Sequence, residues 1–347
     1  MRLGNTKHDT EAEEPLGEVK RITEKEGAEG WKLAKETMLD HKTRNPRLKE
    51  AISYLVESHP DFYRPALVSL CSRAVRGTSE VTVPCGASLV LLAKAIGIHD
   101  DIIDQLKTRD KSRTLFGRYG KNLALILSDI LLFKGFALLR KNLEIGVSEG
   151  TTARILETID NVWFEQSEAE MLDAQSQGKI DMTLDQYLTK IRLAASEREA
   201  ITRIGGILGG GSERKVEDLG KYGRLLGMVS MLRDEVIDML EMAALRHRIR
   251  KESLPLPIIY ACQHAEVRSQ IVSLISTGRL KTADLWKISK MTDEAGGIDY
   301  AAGLTGKFSE EACSIVESFE KERETLKLLA RSLVIEPEEL KPILQAR

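Results

Sequence analysis

The sequence predicts an all-α fold, and three observations carry that prediction. Apolar residues recur at helical spacing, as in Leu123, Ile126, Leu127, Ile130 and Leu131. Prolines stand at 15, 46, 60, 65 and 84 and the next is Pro255, so a long interval lacks the residue that most reliably interrupts helices. Strand-like alternation and Asn-Gly hairpin signals are absent.

From the N-terminus, residues 1–24 are polar, charged and poor in large apolar groups, a composition that cannot offset the entropy of ordering. A mobile tail is expected there, and a single helical domain over 25–347. Glycines place helix ends at Gly77-Thr78, Gly117 to Gly120, Gly146 to Gly150, Gly178 and Gly209-Gly210-Gly211. With no strand before them, Gly205-Gly206 and the later triplet read as close helix packing and a helix end, not as a dinucleotide fingerprint. Helical spacing returns from Leu280, with a charged helix over Ser309 to Val334.

Composition excludes several functions. The 347 residues carry 51 basic and 53 acidic side chains, a net charge of −2, which leaves no electrostatic footprint for nucleic acid or an anionic membrane. Any charged ligand must be held by a local site. Cys71, Cys85, Cys262 and Cys313 are widely separated and form no C-x-x-C pair, so neither a disulfide scaffold nor a zinc cluster is expected and a reducing cytoplasm fits. No apolar run reads as a membrane span, and the first thirty residues lack a signal-peptide core.

Two segments are acidic in the midst of apolar sequence: Asp100, Asp101 and Asp104 in AIGIHDDIID, and Asp234, Glu235 and Asp238 in LRDEVIDML. On a helix the i and i+4 carboxylates share a face. Their repulsion costs roughly 0.2–0.5 kcal/mol on an exposed helix and more where apolar flanks exclude water. A single acidic triplet is usually solvated surface, but a second copy with the same spacing and apolar flanks is a specific signal. Carboxylates without His or Cys partners suit a hard cation such as Mg²⁺, which keeps waters and bridges to phosphate. Facing clusters of this kind would neutralise a diphosphate leaving group as its C–O bond breaks.

These residues and their surroundings resemble the trans-isoprenyl diphosphate synthase family, the polyprenyl synthetases, whose two D-D-x-x-D motifs they match from about Arg64 to the C-terminal helices. His99, Arg109, Thr114, Gly120, Asp129 and Gly227 fall at family spacings, and Lys251-Glu252-Ser253-Leu254-Pro255 is similar to K-x-T-L-P. The resemblance implies an isoprenoid synthase-type helical bundle with a central apolar cavity. It implies three Mg²⁺ ions on Asp100, Asp101, Asp104, Asp234 and Asp238, with Glu235 completing the second motif. Arg64, Arg109, Arg113 and Lys251 are the implied diphosphate-binding residues, an allylic prenyl diphosphate the substrate and isopentenyl diphosphate the family's acceptor. Family members are commonly homodimers, with the segment corresponding to Leu123 to Leu139 at the interface. Bulky residues just before the first motif limit chain length in the family; here those positions are Ala95 and Ile96, which leave an open floor with Leu92 as the side chain that could close it, so chains of about C20 or longer are expected.

The departures are systematic. The family's G-K-R-x-R-P, which binds isopentenyl diphosphate, reads Pro60-Asp61-Phe62-Tyr63-Arg64-Pro65, and the histidine expected six residues before His99 is Ala93. R-R-G-x-P-T has become Arg109-Asp110-Lys111-Ser112-Arg113-Thr114, the K-T pair after Tyr187 is Ala194-Ala195, and the glutamine after Gly227 is Met231. The basic run Arg246, His247, Arg248, Arg250, Lys251 reads first as a solvated helix end. Three functions remain open: a prenyltransferase that makes isoprenoid chains or uses another nucleophile, a terpene cyclase or diphosphate lyase, and a non-catalytic subunit of a synthase. The absence of N-D-x-x-S-x-x-x-E and the span of the match favour the first.

Overall fold

Helix starts are set by local capping. Asn45 Oδ1 accepts from the amides of Arg47 and Leu48 ahead of Pro46, and Ser148, Thr183 and Ser212 cap three further helices in the same way. Glycines with positive φ end or separate helices at Gly120, Gly146, Gly178 and Gly210, all within the breaks expected from the sequence.

The computed structural model describes residues 10–40, 42–109, 112–276, 279–338 and 340, with side chains from Pro15 onward. In order the helices are α1 (Thr10–Leu39), α2 (Pro46–Ser58), α3 (Tyr63–Ala74), α4 (Val83–Ile103), α5 (Leu115–Tyr119), α6 (Lys121–Leu139), α7 (Lys141–Glu144), α8 (Glu149–Ser176) and α9 (Leu184–Ala194). They continue as α10 (Ser196–Leu208), α11 (Glu213–Asp238), α12 (Met242–Lys251), α13 (Leu256–Ala261), α14 (Ala265–Ser276), α15 (Thr282–Glu294), α16 (Gly297–Val316) and α17 (Arg323–Arg331). Between α4 and α5 a two-residue hairpin pairs β1 (Thr108–Arg109) antiparallel to β2 (Ser112–Arg113); it is too short to alter the all-α class.

Three apolar clusters hold the bundle. One joins α3, α10 and α11 to the C-terminal helices, one surrounds the end of α11, and one fills the space between α1, α2, α4 and α6. Phe308 packs against the first two and Leu132 against the first and third, so the core is continuous. The main neighbours of α4 are α6, α1 and α3, and those of α11 are α16 and α10. The two helices bearing the acidic segments are thus seated in different parts of the bundle.

The structure corrects three expectations. The tail expected over 1–24 is helical from Thr10, and Val19 and Thr23 are buried. A few apolar groups at helical spacing suffice there because α3 and α17 offer a ready surface; residues 1–9 lie outside the described residues. The charged helix expected over Ser309 to Val334 is split into α16 and α17, with Glu322 at φ 58° between them. The stretches Glu80–Ile103 and Lys121–Glu144 are long and apolar enough to cross a membrane, contrary to the sequence reading; the first is 67% buried inside the bundle, as a core helix is.

Close helix contact sets the α3–α10 crossing. A Cβ on Gly205 would lie 2.6 Å from Cys71 Cβ and 2.6 Å from the Val68 carbonyl oxygen. Gly205→Ala should therefore destabilise the protein by about 1–3 kcal/mol in urea unfolding. Gly303→Ala, where nothing stands within 4 Å, should stabilise by about 0.5–1 kcal/mol. Equal effects at both sites would contradict the packing argument.

Candidate active site

One face of α4 is part-exposed along Ala93, Ile96, Gly97, Asp100 and Asp104, because residues three and four apart lie on one side of a helix. Asp101 turns to the next face, is buried, and its Oδ1 accepts a 2.8 Å bond from Arg109 Nη2 on β1. Thr114 closes that hairpin: its hydroxyl donates to the Leu106 carbonyl at 2.7 Å and accepts from the Gly117 amide, which starts α5. His99 leaves the acidic face and meets Ser128 Oγ at 2.7 Å, with Asp129 at 3.9 Å, tying α4 to α6.

Burial pushes the Asp100 carboxyl up to about 8, reinforced by Glu170 and Asp104 and opposed by Arg109. Asp104 is pushed up to about 7 by burial and then by Glu252, Glu170 and Asp173, against Arg248. Glu170, itself raised by burial and Asp173, lies on α8 with Asp173, while Glu252 follows α12. None of the three stood out in the sequence, since acidic residues on a charged helix such as α8 look like solvated surface. For Glu170 and Asp173 the one available signal was their i, i+3 placement on one face of α8.

Cations answer this array from the opposite elements. Lys190 on α9 donates to Asp173 Oδ1 at 2.6 Å and to Ser253 Oγ at 2.7 Å. Burial acts to raise Asp173, but the Lys190 ammonium outweighs it and holds the carboxyl below its usual value. Lys190 lies one turn before Ala194, so α9 supplies a lysine from the same face on which the K-T lysine is missing. Ala195 packs against Gly227, where an added Cβ would come within 2.9 Å of the Ala195 methyl; the small residue follows from that contact.

On α11, Asp234 is exposed and Asp238 half-buried on one face, whereas Glu235 is buried. Glu235 accepts from the Tyr187 hydroxyl, from Arg248 Nη2 at 3.1 Å and from the Leu256 amide at 2.9 Å. The expectation that grouped Glu235 with the catalytic aspartates is corrected: neighbours at i and i+1 diverge, and its oxygens join α9, α12 and α13 to α11. Arg248 also pairs with Glu252 at 3.0 Å. Burial opposes its charge, but Tyr187, Glu252, Glu235 and Asp238 hold the guanidinium firmly protonated. It stands electrically between Asp104 and Asp238, which corrects the reading of residues 246–251 as a solvated helix end. Arg246 Nε, His247 Nε2 and Arg248 Nε are all buried without a hydrogen-bond partner.

The remaining expected residues divide. Lys251 Nζ reaches Gln105 Oε1 at 2.9 Å, beside the end of the first acidic segment. Arg113 is exposed on β2, its carbonyl accepting from the Tyr54 hydroxyl; Asp110 and Lys111 lie outside the described residues. Arg64 is engaged by two carboxylates, Asp61 at 2.5 Å and Glu197 at 2.6 Å. Ile96 lies on the acidic face one turn before Asp100, but Ala95 is fully buried in the α1, α2, α6 cluster and Leu92 packs against Gly135. Of the floor expected to be open, the Ala95 position is closed by core packing, while Ile96 remains part-exposed on the acidic face.

Among the described residues, no three Asp, Glu, His or Cys side chains converge at metal-binding spacing. The donor set nevertheless fits a hard divalent cation: Asp100, Asp104, Asp234 and Asp238 offer oxygen alone, and the burial and neighbouring carboxylates that raise Asp100 and Asp104 both disfavour an ionised carboxylate that a cation would stabilise.

Removing Arg248 should leave Glu235 buried without its counter-ion. Arg248→Met is expected to cost about 3–5 kcal/mol in urea unfolding and Arg248→Lys less. A neutral Arg248→Met would show that Glu235 is not held by charge.

A family profile described as Polyprenyl synthetase matches residues 45–291. The chain is 26% identical over 278 residues to a geranylgeranyl diphosphate synthase of Methanosarcina mazei, covering 78% of this chain and 83% of that one. It is 24% identical over 278 residues to a geranylfarnesyl diphosphate synthase of Aeropyrum pernix, covering 78% and 87%. The fold is similar to the crystal structure of geranylgeranyl pyrophosphate synthetase from Pyrococcus horikoshii, with a TM-score of 0.83, 23% identity, and coverage of 93% of this chain and 100% of that one. By its sequence match, with the fold and the two acidic helices in agreement, the chain belongs to the polyprenyl synthetase family.

Proposed function

We propose that the protein is a Mg²⁺-dependent prenyltransferase that ionises an allylic prenyl diphosphate of farnesyl to geranylgeranyl length or longer. The observation that carries this reading is the desolvated array of Asp100 and Asp104, opposed by Arg109 and Arg248 and joined by Asp173, which Lys190 holds. The names of the relatives support prenyl transfer. Asp100, Asp104, Asp234 and Asp238 are the residues that would hold the metal. Bound Mg²⁺ supplies Lewis-acid neutralisation of the departing diphosphate. Arg109 and Lys251, the more exposed cations beside the first acidic segment, orient diphosphate oxygens by charge-assisted hydrogen bonds, while Lys190 and Arg248 hold Asp173, Glu235 and Glu252 in place behind them; Ile96 gives the prenyl chain an apolar contact beside Asp100.

The outer face of α6 supports a homodimer. Phe133 is 77% exposed and Ile126 55%, with Phe136 also exposed, an apolar face of the kind a partner covers. The four cysteines are buried and unpaired, which suits a reducing compartment.

Asp100→Asn and Asp104→Asn should each lower Mg²⁺-dependent diphosphate release from farnesyl or geranylgeranyl diphosphate by about 10³-fold or more, equivalent to several kcal/mol. Retained release would sink the metal assignment. The pH dependence has a defined sign. Between the ordinary carboxylate range and about 8, the folded protein holds protons on Asp100 and Asp104 that the unfolded chain has released, so these groups withdraw stability as pH rises through that window. Metal-free Asp100→Asn should therefore gain melting temperature over wild type more at pH 8 than at pH 5, and Mg²⁺ should stabilise wild type more at pH 8. A gain independent of pH would contradict the raised carboxyl. For the dimer, Phe133→Glu should shift sedimentation to monomer; an unchanged sedimentation coefficient would place the interface elsewhere.

A further inference from the structure

Prenyl transfer needs a second molecule beside the allylic carbon, and the part-exposed face of α4 extends to where it would sit. Ala93 and Asp100 lie on that face, about 10 Å apart along the axis at 1.5 Å per residue. Ala93 is followed by Lys94, which lies close enough to Asp61 and Arg64 to interact with both; Arg64 in turn bonds Glu197 at the start of α10, and Phe62 and Lys94 both contact the Trp31 ring.

Every cation in this cluster is already engaged. Arg64 Nη1 pairs with Asp61 Oδ2 at 2.5 Å and its Nε with Glu197 Oε1 at 2.6 Å, while the Arg64 amide donates to Asp61 Oδ1 at 3.2 Å. Arg198 holds the other Glu197 oxygen at 3.0 Å and lies 5.0 Å from the Tyr63 ring centroid. Lys94 Nζ donates to the His59 carbonyl at 2.5 Å and sits 5.4 Å from the Trp31 ring centroid, and burial holds it down at about 8. Burial acts to raise both Asp61 and Glu197, but Arg64 outweighs it and keeps each below the usual carboxylate range. A diphosphate placed here would have to strip Arg64 from two ionised carboxylates and then face both of them. Like charges so juxtaposed across a partly dry contact reject a ligand.

We infer that this subsite takes an acceptor without a phosphate group: a neutral or cationic nucleophile whose N–H or O–H is accepted by Asp61 and Glu197 and whose unsaturated body lies against Phe62. The inference rests on the proposed prenyl transfer and names its second substrate class. In the reaction the C1–O bond of the allylic diphosphate breaks and its electron pair leaves with diphosphate. A pair from the acceptor forms the new bond to C1, and the proton the acceptor loses leaves with the diphosphate.

The test uses the full chain with Mg²⁺ and a non-ionising thiolodiphosphate analogue of farnesyl diphosphate. Equilibrium dialysis measures binding of the analogue and of labelled isopentenyl diphosphate to the loaded protein. The analogue is expected to bind, whereas isopentenyl diphosphate should show no binding below millimolar concentration. Micromolar binding of isopentenyl diphosphate would overturn the inference and leave the prenyltransferase reading standing; failure of the analogue to bind would overturn that reading and the inference with it. Asp61→Lys combined with Glu197→Ala should tighten isopentenyl diphosphate at least 100-fold, and no gain in the folded variant would show that these carboxylates are not the barrier. With farnesyl diphosphate itself, indole, as an uncharged N–H probe, should accelerate diphosphate release while isopentenyl diphosphate does not. Acceleration by isopentenyl diphosphate, with a longer diphosphate formed, would overturn the inference.

Discussion

Carboxylates crowded into a region where water is scarce repel one another, and much of the architecture around the site answers that repulsion. Asp100 and Asp104 share a face of α4, where burial raises both; Glu170 adds to the effect at each, and Glu252 and Asp173 at Asp104. In water at physiological salt such repulsion is weakened by the high dielectric and screened over about 8 Å, but in a desolvated site it persists. The protein meets part of it with Lys190 and Arg248 and leaves the rest on Asp100 and Asp104, where a divalent cation would relieve it.

That division assigns different work to residues of the same type. Glu235 and Asp173 are carboxylates satisfied by protein donors, and they fix helices in place; Asp100 and Asp104 are carboxylates kept under charge stress. Arg248 belongs to both groups, since it closes the Tyr187–Glu235 network and faces Glu252. A buried ion network of this kind adds little net stability relative to an apolar core, but it defines where each charge sits. The second acidic helix is oriented by it.

Seven residues back along α4 the same principle runs in the opposite direction. At the acidic face cations are outnumbered; beside Lys94 the three cations Lys94, Arg64 and Arg198 each have a protein partner. Arg64 lies between Asp61 and Glu197, so a residue whose type suggests a phosphate ligand is neutralised by its neighbours. The protein thus keeps one strongly cation-seeking face and, further back along α4, a cluster whose charged groups are engaged with one another.

The sequence by itself determined the helical class, most helix ends, and the sharing of one face by Asp100 and Asp104 and of another by Asp234 and Asp238, because these follow from periodicity and turn chemistry within a few residues. Family membership was legible for the same reason: its motifs are short and local. Only the tertiary structure decided what each charge does. Arg64 and its partner Glu197 are 133 residues apart, and Arg248 and its partner Tyr187 are 61 apart, so no local pattern reveals that the first pair is neutralised or the second buried. The helical segment from Thr10, the closed packing at Ala95 and the recruitment of Glu170 and Lys190 have the same origin. Burial and pairing are properties of surfaces brought together by folding, and an electrostatic role depends on both.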